Sequence, residues 1–68
     1  MSERAFEVRR FRTKRSVAEA KGWMDDYENE RKRTYAFGRE RVFGQIIALS
    51  FRPRMFRMHM TVTVKDAA

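Results

Sequence analysis

At 68 residues the chain has room for one small domain, and a chain of this size hides only about 60% of the surface that its unfolded form exposes. It contains no cysteine and a single histidine, His59, which excludes a disulfide framework, Cys-based zinc sites and His-rich metal sites. Sixteen Lys and Arg residues against nine Asp and Glu give a net charge of +7, which favours anionic partners: nucleic acid, an acidic protein or an anionic surface.

Residues 5–13, Ala-Phe-Glu-Val-Arg-Arg-Phe-Arg-Thr, carry a short β alternation in which Phe6 and Val8 share one face and Glu7 and Arg9 the other. Phe11 falls out of phase with Phe6 and Val8, through a bulge at Arg9-Arg10 or by facing the opposite side. Ser16-Val17-Ala18-Glu19 has the form of a capping box, with Ser16 as N-cap and Glu19 at the third helical position. Val17, Ala20, Met24 and Tyr27 then recur at helical spacing with Trp23 beside them, while Glu19, Asp25, Asp26, Asn29 and Glu30 occupy the other face. The helix is expected to stop near Arg33, or to run through Tyr35 to a C-cap at Gly38.

Residues 42–65 read as a hairpin. Phe56, Met58, Met60, Val62 and Val64 alternate with Arg57, His59, Thr61 and Thr63, and Phe43 to Phe51 is also extended. With Pro53-Arg54 as a two-residue loop, Phe51 faces Phe56, Leu49 faces Met58 and Ile47 faces Met60, an almost wholly apolar face. The expected fold is therefore α+β, in the order β-α-β-β: a three-stranded, mainly antiparallel sheet with the last strand central and one helix packed on one face. The other face is left open. On it Val42, Ile46 and Ala48 form a small apolar strip, the expected contact for a second copy or another partner, and small domains without disulfides or metals often form homodimers.

Charge is divided between the elements. Residues 16–30 hold five acids and one base, so the helix is acidic and the sheet and loops carry the positive charge. Two groups of bases stand out, Arg9, Arg10, Arg12, Lys14 and Arg15 at the end of the first strand and Arg52, Arg54 and Arg57 around the hairpin turn, with Arg39 and Arg41 in the segment between helix and hairpin. Whether these groups share one surface depends on strand order. Twelve of the sixteen bases are Arg, suited to bidentate phosphate contacts, although a GC-rich genome would give the same bias. Phe11 and Tyr35 are candidate aromatic neighbours for base stacking.

These features point to binding rather than catalysis. His59 sits on the polar face, but no second general acid or base is fixed beside it and no nucleophile motif is present, so no catalytic residue, metal or cofactor is assigned. A small basic protein contacting nucleic-acid phosphates, DNA or RNA, is the first expectation; no sequence-reading motif accompanies it. The second is an inhibitor or adaptor that docks on an acidic or nucleic-acid-binding protein. In size and charge, though in no specific residues, the chain resembles the small proteins that phages direct against host enzymes, anti-CRISPR proteins among them. A ribonuclease centred on His59 is a weaker third. Residues 1–68 are read as a single domain, and with no apolar run of membrane-spanning length and no hydrophobic signal region after Met1-Ser2-Glu3-Arg4, a cytoplasmic location without membrane contact is expected.

Overall fold

Five elements follow one another in the computed structural model, which describes residues 2–67. They are β1 (Glu3–Phe11), α1 (Lys14–Glu28), β2 (Lys32–Phe37), β3 (Glu40–Pro53) and β4 (Arg57–Asp66). The strands form one antiparallel sheet in the order β1-β4-β3-β2, so the expected α+β class holds and β4 lies inside the sheet.

The sheet has four strands, not three. The segment expected to be a helix tail or connector is β2, in which Tyr35 and Phe37 point inward while Thr34 and Ala36 point outward. Gly38-Arg39 closes the β2–β3 hairpin as a two-residue loop between Phe37 and Glu40. Gly38 supplies the positive φ, +63°, that such a turn needs at its first central position. The helix is stopped before β2 by Asn29 and by Glu30, whose φ of +54° is left-handed.

The helix also begins earlier than the Ser16 capping box implies. Thr13 is the N-cap: its Oγ1 accepts from the Ser16 backbone N–H at 3.1 Å, and Ser16 Oγ accepts from the Thr13 N–H at 2.8 Å. Ser16 Oγ in turn donates to the Phe11 carbonyl at 2.8 Å, tying the start of α1 to the end of β1. Glu19 is thereby free for another role and pairs with Arg10 at 2.8 Å.

The β3–β4 register places Leu49 opposite Val62, Phe51 opposite Met60 and Pro53 opposite Met58. The turn therefore lies at Met55-Phe56, closed by the Arg54 N–H donating to the Arg57 carbonyl at 2.8 Å, rather than at Pro53-Arg54. The offset is even, so Leu49 and Phe51 keep the faces expected for them. An irregularity between Ile46 and Ala48 then reverses the faces on its N-terminal side. Val42 and Ile46, expected on the open side, are 6% and 1% exposed in the core; of that strip only Ala48 is exposed. Phe43 instead lies outward. Gly44 permits the close approach of the two strands: a Cβ there would meet the Lys65 carbonyl oxygen at 2.1 Å.

The core lies between the helix and the inner face of the sheet. It joins Phe6, Val8, Met58, Met60, Val62 and Val64 to Trp23 and Ala20 of the helix and to Tyr35 and Phe37 of β2. Phe6 and Phe37 belong to the two edge strands, yet their rings stack with centroids 4.4 Å apart. The sheet therefore curls until its edges nearly meet, and an Arg4–Glu40 ion pair crosses the same gap. Such curling follows the native twist of antiparallel strands.

Candidate functional site

Pairing of β1 with β4 decides whether the two arginine groups meet. Arg9 lies opposite His59, and Phe11 opposite Arg57; on the other side of β4, Arg52 also lies opposite His59. Arg9, His59 and Arg52 thus form one rung across three strands on the outer face of the sheet, opposite the buried Val8, Met58 and Met60. The Arg12 backbone N–H donates to the Phe56 carbonyl at 2.8 Å, which carries the β1–β4 contact on to the hairpin turn. Arg52, Arg54 and Arg57 are thereby brought to the end of β1 and the start of α1.

The remaining members of the first group lie around the corner, on the helix side. Arg10 pairs with Glu19, Arg12 flanks the helix, and Lys14 and Arg15 stand in its first turn. The basic surface therefore wraps one end of the sheet instead of covering one face. Among the described residues Arg12, Lys14, Arg15, Arg52, Arg54 and Arg57 form no ion pair, whereas Arg4, Arg31 and Arg33 are held by Glu40, Asp25 and Asp26. Cations in the first turn of a helix oppose its dipole, at about 0.3–1 kcal/mol each, so Lys14 and Arg15 are placed against the stability of their own element.

Phe11 is an exposed aromatic residue of this surface, as is Phe56 in the adjoining turn. Phe11 is 67% exposed, and the Arg57 guanidinium lies over its ring at 5.1 Å from the centroid. Two depressions share it: one of about 110 Å³ lined by Arg9, Arg10, Phe11 and Arg57, the other of about 290 Å³ lined by Arg10, Phe11, Thr13, Arg15 and Ser16. Tyr35 does not belong here; it is buried, and its hydroxyl donates to Asp26 at 2.9 Å. A depression of about 440 Å³ beside Tyr27, Glu28 and Glu30 lies by the helix C-terminus.

One acid stands in the basic face. Glu7 Oε2 is 2.5 Å from His59 Nε2, and Thr61 donates to its other oxygen at 3.4 Å. The His59 hydrogen bond, joined by the charge of Arg9, holds the Glu7 carboxyl below the usual carboxylate range. His59 Nε2 cannot both donate to Glu7 and accept from Arg9 Nε; the carboxylate contact is much the shorter, and Arg9 Nε at 3.4 Å is a neighbour. Glu7 and His59 thus hydrogen-bond each other directly on the outer face of the sheet. Glu7 became visible only through the cross-strand register. Among the described residues no three His, Asp or Glu side chains converge to hold a metal, and no helix is long and apolar enough to cross a membrane.

Compared with known protein families, curated proteins and solved structures, the chain matches none of them.

Proposed function

We propose that the protein binds nucleic acid through phosphate contacts made by Arg9, Arg12, Lys14, Arg15, Arg52, Arg54 and Arg57, with Phe11 as a surface for an exposed base. The observation that carries this reading is the β1–β4 pairing, which brings two arginine groups far apart in sequence to one end of the sheet. Guanidinium forks suit phosphate oxygens; Glu7 stands beside Arg9 at 3.6 Å, while among the described residues Arg12, Lys14, Arg15, Arg52, Arg54 and Arg57 are left available by the lack of paired acids. Binding of this kind is weakly sequence-dependent and releases counterions. With about six phosphates engaged, the logarithm of the association constant should fall with log salt at a slope of about −5. Arg52→Glu/Arg54→Glu should make that slope shallower by about 2, to about −3. Fluorescence anisotropy with a labelled oligonucleotide across a salt series reads both. Salt-independent affinity, or a variant that binds like wild type, would remove this assignment.

A second reading is docking on a protein. It is favoured by an apolar groove of about 290 Å³ between helix and hairpin, lined by Val17, Met24, Phe51, Met58 and Met60 with Arg12 and Lys21 at its sides. Methionine-rich grooves adapt to varied partners, and the two cations suit an acidic one. A stoichiometric protein partner that survives nuclease treatment, combined with weak binding to free DNA and RNA, would favour this reading over the first.

A further inference from the structure

The β3–β4 turn breaks the ordinary rules for a tight turn. Its two central residues are Met55 and Phe56, 81% and 73% exposed, where Gly, Asn, Asp or Pro would be usual. Neither has the positive φ of the favoured hairpin turns. Packing does not account for them, since the core is closed without them. Arg54 and Arg57 flank the pair directly, and Pro53 and Arg52 precede it.

We infer that this turn is a wedge: Met55 and Phe56 insert between adjacent base pairs of a duplex while Arg52, Arg54 and Arg57 hold the phosphates on either side, so that binding kinks the nucleic acid. The inference rests on the phosphate-binding reading and adds to it the duplex and its deformation. A duplex is anionic outside and apolar within its base stack, which complements an apolar tip inside a collar of guanidinium groups. Apolar side chains inserted at a base step are a general means of bending a duplex. A bilayer has the same order of charge and apolarity. The apolar run, however, is only two residues long, and deeper entry would carry Arg54, Arg57 and the polar backbone of the turn into hydrocarbon. A base step takes up a short apolar tip while the flanking arginines stay on the phosphates.

The test uses the intact chain and Met55→Ser/Phe56→Ser, whose exposed positions leave the thermal midpoint unchanged. Duplexes of about 20 base pairs, labelled at both ends for energy transfer, report bending. An uninterrupted duplex is compared with one carrying a single-nucleotide bulge, a single strand of the same sequence, and phosphatidylglycerol vesicles. Wild type should shorten the end-to-end distance and bind the bulged duplex on the order of tenfold more tightly than the uninterrupted one. The double variant should lose both effects and keep the salt slope. Binding without bending or bulge preference, equal bending by the variant, or tighter binding to the single strand or to vesicles would overturn the wedge. Failure of wild type to bind any nucleic acid would instead remove the phosphate-binding reading on which it rests.

Discussion

Glu30 shows how a single residue departs from local preference. It occupies the left-handed position after the helix C-cap, where glycine is usual, and among the described residues its side chain makes no hydrogen bond or ion pair. Gly22 is the converse: a glycine inside an exposed turn of α1, where an added Cβ would meet nothing within 4 Å. Each residue is therefore costly where it stands. Glu30→Gly and Gly22→Ala should each raise stability by about 1 kcal/mol, read as a shift in the denaturation midpoint with an unchanged slope. A destabilised Glu30→Gly variant would mean that the left-handed backbone is imposed by side-chain contacts of Glu30.

At the scale of elements, the contact between the end of α1 and β2 governs the response to pH. Burial alone would raise the Asp26 carboxyl, but hydrogen bonds from Tyr35, Arg33 and Arg31 outweigh it and hold it below the usual Asp range. Burial, together with the same hydrogen bond to Asp26, pushes the Tyr35 hydroxyl up to about 12. A depressed carboxyl stabilises the fold above its unfolded pKa of about 4, and that contribution is lost as pH falls through the folded value. A raised phenol stabilises the fold below its unfolded pKa of about 10 and loses that contribution as pH rises toward 12. Tyr35→Phe should cost about 1–1.5 kcal/mol at pH 7 and flatten the alkaline edge of a stability–pH curve; an unchanged edge would show that Tyr35 does not set it. This contact could not be read from the sequence, where Asp26 is one of five acids on a solvated helix and Tyr35 belongs to an expected helix tail. Phe6, Val8, Met58, Met60, Val62 and Val64 were legible as a core because strict alternation needs no knowledge of neighbours. Val42 and Ile46 were misplaced because the irregularity beside Ile47 changes the phase without any Gly or Pro to announce it. The Gly38-Arg39 turn did carry its signal, a glycine at the first position of a two-residue loop between alternating strands, and the longer helical pattern obscured it.

Across the whole molecule, the basic groups were legible as residues but not as a surface, because their union depends on β1 lying beside β4. Glu7 is the counterweight in that surface: it neutralises part of the Arg9–His59–Arg52 rung and faces the same side that the proposed polyanion would meet. Glu7→Gln adds one positive charge to this face, so affinity for an oligonucleotide should rise severalfold, on the order of a single phosphate contact, with the largest gain at low salt. Anisotropy titrations of the two proteins at low and high salt would show this; equal affinities at low salt would place the polyanion elsewhere.

The order β1-β4-β3-β2 also bears on how the chain acquires its shape during synthesis. The strand made last is inserted between two made earlier, so Glu3 must wait for Lys65 and Ile46 for Val64. Until then β2 and β3 can pair only with each other, and Phe6, Val8 and Ile46 have no complete sheet to close over them. Such distant pairings favour folding in milliseconds to seconds rather than microseconds. The nascent protein is thus most vulnerable to aggregation or proteolysis just before β4 emerges, and the step that completes its core is the same one that assembles its arginine-rich end.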